Sequence, residues 1–173
     1  MGSEEIELAV KRALAAEPLA GKRVLDAGCG GGELGLWMAE QGAEVYLLDG
    51  DRAVVDGALR KAREAGLERR VRGVYAAGAT LEMLADRGFD VAVMRGAAWR
   101  GLLAEVARVT KPGGRLVLRL EDGAEARGLE RWYGGTRVEW PPRRSWLARL
   151  IRSKEKPGGA VITARRAGEE GVI

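Results

Sequence analysis

Residues 24–35 read VLDAGCGGGELG: an apolar run, three consecutive glycines at 30–32, then the start of a helix-like segment. Glycine costs conformational entropy in any regular element. Glycines clustered between a strand and a helix therefore mark a place where the backbone must approach something closely. The flanking chain sets the context. Arg23–Ala27 predicts a short buried strand and Glu33–Gln41 a helix stopped by Gly42. Glu44–Leu48 predicts a second strand ending at Asp49, and Arg52–Ala65 a helix closed by Gly66. Val71–Ala76, Phe89–Met94 and Arg115–Leu120 read as further strands, Leu81–Asp86 and Leu102–Val109 as helices, and Lys111-Pro112-Gly113-Gly114 as a turn. Ile6–Ala16 reads as a leading helix with Ser3 as candidate N-cap, broken by Glu17–Gly21. Apolar strands alternating with helices suit a parallel sheet covered on both faces and joined by right-handed crossovers. The fold class is α/β: a doubly wound, mostly parallel seven-stranded sheet with helices on both faces. Arg137–Trp140 and Ala160–Ala164 supply its last two strands and predict an antiparallel C-terminal edge.

The 173 residues are enough for one domain, divided into an N-terminal helix (1–20), a cofactor-binding core (21–122) and a basic C-terminal segment with edge strands (123–173). Composition narrows the chemistry. Histidine is absent and Cys29 is the sole cysteine. That excludes a Ser-His or Cys-His nucleophile and an internal disulfide, and no metal is implied. The N-terminus carries acids where a secretory leader has bases, and no apolar run approaches the ~20 residues of a membrane span, so a cytoplasmic location is expected. The chain has no Asn and a single Gln, Gln41, which fits a thermophile or a GC-rich genome. Net charge is +4, and the excess is local: residues 137–173 hold 9 bases against 4 acids.

Two ligand classes use a glycine turn of this kind. The dinucleotide fingerprint GxGxxG fits as Gly30, Gly32 and Gly35, but then Gly28 and Asp26 stand where its strand should be apolar. Started at Gly28, its third glycine falls on Glu33. The register that fits is an acid followed by alternate glycines: Asp26, Gly28, Gly30, Gly32. In this register VLDAGCGGG resembles the first motif of the class I S-adenosylmethionine-dependent methyltransferases. EVYLLDGD, FDVAVMRG at 89–96 and RVTKPGGRLVL at 108–118 resemble that family's second, fourth and fifth strand regions. The resemblance covers roughly residues 20–121 and implies S-adenosylmethionine as cofactor. It implies cofactor contacts at Asp26, Gly28, Cys29, Gly30, Gly32, Asp49, Gly50, Gly78, Ala79 and Arg95. Asp49 would take both ribose hydroxyls, and Asp26 would help hold the ammonium through water. Loop N–H groups would meet the charged methionine end. One departure stands out: Ala77, Gly78 and Ala79 occupy the place of the family's adenine-contacting acid.

Methyl transfer from a sulfonium needs alignment and exclusion of water more than acid–base groups. Arg95 and Trp99, after the fourth strand, are the candidates near the reacting methyl group. Arg95 could orient an anionic substrate or be a surface charge; Trp99 could wall the pocket or pack a helix. Asp51 reads as a helix N-cap, Asp56 as solvated and Asp90 as structural. Glu121 and Asp122 could bind a cationic substrate or lie in a solvated loop. No NPPY-type motif and no Pro-Cys pair is present. Arg143, Arg144, Arg149, Arg152, Lys154 and Lys156 lie with Trp146, Leu147, Leu150 and Ile151. This segment packs on the sheet, contacts RNA through residues 143–156, or meets a membrane surface or a partner. The expected reading is an enzyme acting on a small-molecule acceptor. An RNA methylase and a non-catalytic cofactor-binding module are the alternatives. A short N-terminal segment leaves little for a lid, which allows a large substrate or a homodimer that completes the pocket.

Overall fold

Apolar residues at alternate positions of each strand divide the core between the two faces of one sheet. A computed structural model describes residues 3–78, 80–95, 99–120, 129–140 and 160–168. Its elements in chain order are α1 (Ser3–Ala15), β1 (Arg23–Ala27), α2 (Glu33–Glu40), β2 (Glu44–Asp49), α3 (Arg52–Glu64), β3 (Val71–Tyr75), β4 (Phe89–Met94), α4 (Trp99–Val109), β5 (Thr110–Leu120), a 3-10 turn (Leu129–Arg131), β6 (Tyr133–Trp140) and β7 (Ala160–Arg166). The sheet order is β3-β2-β1-β4-β5-β7-β6. The first five strands are parallel, while β7 runs antiparallel to both β5 and β6. The expected doubly wound sheet with an antiparallel edge is therefore the observed one.

Val24, Val45, Val91, Val93, Val117 and Val161 point to the face covered by α1, α2 and α3. Leu25, Leu48, Ala92, Met94, Leu116, Leu118 and Ile162 point to the face covered by α4. Each buried aliphatic side chain of this kind is worth roughly 1.5–3 kcal/mol. Polar ties fix the seams between elements. Asp90 accepts from the Arg23 N–H (2.9 Å) and from Lys111 Nζ (2.7 Å), which joins the starts of β1, β4 and β5 and gives it the structural role expected of it. Arg115, buried in β5, donates to the carbonyls of Ala13 and Leu14 and so closes the C-terminus of α1.

Three expectations need correction. Leu81–Asp86 is not a helix but a pair of turns. Glu105 of α4 accepts from the Leu81 N–H (2.8 Å), and Arg108 donates to the carbonyls of Leu81 and Leu84. The groups a helix would use are thus held by α4. The Lys111–Gly114 turn lies inside β5, which begins at Thr110. The register against β4 jumps from Phe89–Thr110 to Val91–Arg115, so the turn is absorbed as an irregularity at the strand's start. At the far edge, β6 begins at Tyr133 and β7 runs on to Arg166, because each finds pairing partners beyond its apolar centre.

Candidate functional site

The glycine segment joins β1 to α2 at the carboxyl end of the parallel strands, the end at which doubly wound sheets place ligands. The loop is fixed largely by its own backbone. Gly28 and Cys29 N–H both donate to the Leu48 carbonyl (2.9 and 3.0 Å), and Gly32 N–H donates back to Cys29 (3.0 Å). Gly30 N–H reaches Asp49 Oδ2 (3.2 Å), while Asp51 N–H takes Asp49 Oδ1 (3.1 Å). The N–H groups of residues 28, 29, 30 and 32 are therefore committed inside the protein.

The glycines answer different demands. Gly28 has φ +76°, and a Cβ there would stand 2.6 Å from the Arg95 carbonyl oxygen. Its space is taken by the end of β4, whose Arg95 N–H bonds the Ala27 carbonyl (3.1 Å). Gly32 would meet Ala58 of α3 at 2.7 Å, and Gly31 would meet the Glu33 carboxylate at 2.4 Å. Gly30 differs: it is exposed, has φ +53°, and a Cβ there would meet nothing within 4 Å. The open approach lies over Gly30, beside Asp49.

Asp26 is completely buried at the end of β1, and Arg95 follows β4, which pairs with β1. Arg95 Nη2 donates to both Asp26 oxygens (3.1 Å each) and to the Cys29 carbonyl (2.9 Å). Burial raises the Asp26 pKa, and the guanidinium holds it back. Arg95 is thus neither a free surface charge nor open to solvent along its length; a fifth of its side chain remains exposed. Nor is Asp26 open to solvent. Cys29 turns its thiol inward at 1% exposure, and burial, aided by Asp26 and Asp49, pushes the thiol up to about 12. Only its backbone lies in the loop. On the outer side, Lys61 of α3 donates to the Gly31 carbonyl (3.0 Å) and to Glu33 Oε1 (2.6 Å), which lowers the Glu33 pKa.

Gly50 is exposed after β2, and Asp49 O accepts from Ala76 N–H (3.1 Å), which brings the ends of β2 and β3 together. Gly78 is exposed in the bend after β3. Ala79, the side chain of Trp99, Glu121, Asp122 and the basic segment 143–156 lie outside the described residues. Asp51 caps α3 by accepting from Ala53 N–H (2.8 Å), and Asp56 stays exposed, as expected of both. Lys61 and the Asp26–Arg95 pair were not anticipated. A lone acid inside an apolar strand was the available signal for the second, since a buried carboxylate needs a cation. Nothing in the sequence separates Lys61 from its neighbours Arg60 and Arg63.

A cavity of about 310 Å³ opens at the opposite end of the sheet, among Ala13, Glu17, Arg115 and Arg165. Arg165 pairs there with Glu17, and Arg115 holds the end of α1. It is a seam between terminal elements, remote from the glycine loop.

Strand order, glycine loop and terminal acid together define the class I methyltransferase fold. The chain belongs to the methyltransferase-domain family, whose sequence pattern matches residues 24–114, just over half its length. It is 32% identical over 156 residues to the cypemycin N-terminal methyltransferase of a Streptomyces species, covering 84% of this chain and 60% of that protein. It is 37% identical over 106 residues to a ubiquinone biosynthesis O-methyltransferase of Xylella fastidiosa, covering 57% of this chain and 42% of that protein. The chain thus spans about half the length of these relatives. Among solved structures, a predicted O-methyltransferase from Agrobacterium tumefaciens superposes with a TM-score of 0.70 at 20% identity, over 95% of this chain and 81% of that one. The [4+2]-cyclase SpnF superposes with a TM-score of 0.68 at 21% identity, over the same shares.

Proposed function

We propose that this chain binds S-adenosylmethionine across the carboxyl ends of β1 and β2 and transfers its methyl group to a small-molecule acceptor. The observation that carries the reading is Asp49 beside the open face of Gly30. An ionised carboxylate offers about four acceptor sites. Asp49 gives two to the Gly30 and Asp51 N–H groups, which fix its orientation and leave acceptor capacity for a ribose diol. Gly50 follows Asp49 directly, and Gly78 lies in the bend after β3, whose end is tied to that of β2 through Ala76 N–H and the Asp49 carbonyl. With no acid at residues 77–79, adenine would be held by backbone groups and packing. Bound S-adenosylmethionine supplies an already activated methyl group. The protein's part is then to hold it and align an acceptor, for which the lack of histidine is no obstacle. The named relatives act as N- and O-methyltransferases, which fits an acceptor nitrogen or oxygen.

Calorimetric titration with S-adenosylmethionine, S-adenosylhomocysteine and NAD tests the reading. Micromolar binding of the first two with NAD silent is expected. Asp49→Ala should weaken both about 10–100-fold, the loss of charge-assisted bonds to two hydroxyls. Silence toward both sulfur ligands, or an unaffected Asp49→Ala variant, would overturn it. Because one structural neighbour is a cyclase, methyl transfer to candidate amines and phenols must be read as well as binding.

A further inference from the structure

We infer that Lys61 is a positioning residue for the cofactor, a latch by which α3 holds the glycine loop at a fixed distance from Asp49; the inference rests on the cofactor reading above. Lys61 Nζ reaches two groups on the outer side of the loop, the Gly31 carbonyl at 3.0 Å and Glu33 Oε1 at 2.6 Å. An ammonium carries three donors, so one side chain can tie both groups at once. The tie also accounts for Gly31. Its φ is not positive, so the backbone does not demand glycine there. A Cβ at that position would instead stand 2.4 Å from the Glu33 carboxylate. That carboxylate is the free end of a flexible chain, and a side chain at residue 31 would push it off Lys61.

α3 relates the two halves of the ligand rim. Its start is tied to Asp49: Asp51 caps the helix through Ala53 N–H (2.8 Å), and Asp51 N–H bonds Asp49 Oδ1 (3.1 Å). Its middle meets the glycine loop twice. Ala58 fills the space beside Gly32, 2.7 Å from where a Cβ would stand, and Lys61 bonds Gly31 and Glu33. Residues 58 and 61 are neighbours on one helix face. Ala58 is a packing contact at 1% exposure, whereas the latch faces water, with 49% of the Lys61 side chain and 65% of Glu33 exposed. The latch is therefore the part of the loop's support that salt can loosen. S-adenosylhomocysteine is a zwitterion without net charge, so ionic strength acts on its binding chiefly through the protein's own ion pairs.

The test joins calorimetry with S-adenosylhomocysteine, at about 0.01 M and about 1 M salt, to hydrogen exchange of the ligand-free protein. At low salt Lys61→Met should weaken binding about 3–10-fold, the span of a half-exposed ion pair and one charged hydrogen bond. At high salt the gap between the two proteins should close to under about threefold. Gly31→Ala should reproduce the low-salt loss, and adding it to Lys61→Met should cost less than about twofold more. Without ligand, Lys61→Met should speed exchange at Gly32 and Leu36, whose N–H groups bond the Cys29 and Gly32 carbonyls. Unchanged exchange there would overturn the inference even if affinity falls, since Lys61 would then touch the ligand and not hold the loop. Unaltered low-salt affinity in Lys61→Met, a gap that salt leaves as wide, or full additivity of the two replacements would overturn it as well. Failure of the unmodified protein to bind S-adenosylhomocysteine would instead remove the cofactor reading itself, and this inference with it.

Discussion

Replacing Arg95 with methionine leaves the buried Asp26 carboxylate without its counter-ion, and the consequence for stability can be worked out apart from any ligand. Removing one partner of a buried ion pair costs about 3–5 kcal/mol. A fifth of Arg95 is exposed, so water can partly relieve the site, and the lower end, about 3 kcal/mol, is expected. At this chain length that is a fall in Tm of about 6–12 °C. The deficit should depend on pH. Burial already raises the folded Asp26 pKa above its ordinary 3.8, and Arg95 is what restrains it. A raised folded pKa means that this group's contribution is fully present below the unfolded pKa and is lost as pH rises through the folded one. Without Arg95 the folded pKa climbs further, so the loss grows over a wider interval above 3.8. Urea unfolding at two pH values should therefore show a smaller deficit near pH 5 than near pH 7.5. In an Asp26→Asn background the same replacement should cost less than about 1 kcal/mol, because no buried charge is stranded. A deficit that is independent of pH, or below about 0.5 kcal/mol, would refute the assignment of Asp26 and Arg95 as a coupled pair.

Other expectations follow from the same geometry. Gly28→Ala should cost more than about 2 kcal/mol, since its Cβ would strike the Arg95 carbonyl. Gly30→Ala should cost only about 1 kcal/mol in chemical denaturation yet sharply weaken S-adenosylhomocysteine binding, because its Cβ would fill the open approach. Comparable effects at the two glycines would contradict that division. Cys29 should resist a thiol reagent at pH 7.5 in the folded protein and react fully on unfolding. Its proton is held to about 12 against an ordinary 9.0, so its contribution to stability fades as pH rises from 9 toward 12. Arg108→Met should free the turns at 81–88 from α4, costing about 1–2 kcal/mol and speeding hydrogen exchange at Leu84. Unchanged exchange there would show that the turns hold themselves.

Period and punctuation carried the central sheet. Strands such as Val24–Ala27 and Phe89–Met94 are apolar enough, and bounded sharply enough, to be read directly. The loop that carries the candidate site was legible from Asp26, Asp49 and the glycines, because a turn between strand and helix restricts residue choice. The failures share a cause. Leu81–Asp86 looks helical by composition, but its backbone is captured by Glu105 and Arg108, more than twenty residues away in sequence. The Arg95–Asp26 bond spans 69 residues, and no local pattern encodes which of many arginines reaches which acid. Glycine, too, conceals its purpose: only the neighbours show that position 28 makes room for protein and position 30 leaves room for something else.

The placing of β7 between β5 and β6 bears on how the chain is made. Six strands emerge from the ribosome before it, yet among the described residues β6 pairs in the sheet with β7 alone. Until Ala160–Arg166 arrives, β5 presents an unsatisfied ladder along Leu116, Val117 and Leu118, some of the most apolar backbone in the molecule. Such an edge is where nascent chains associate wrongly. A nonsense mutation just before residue 160 would thus do more than remove one strand. It would also set β6 adrift and leave the half-finished sheet adhesive, so the expected phenotype is aggregation and clearance, not a weakened enzyme.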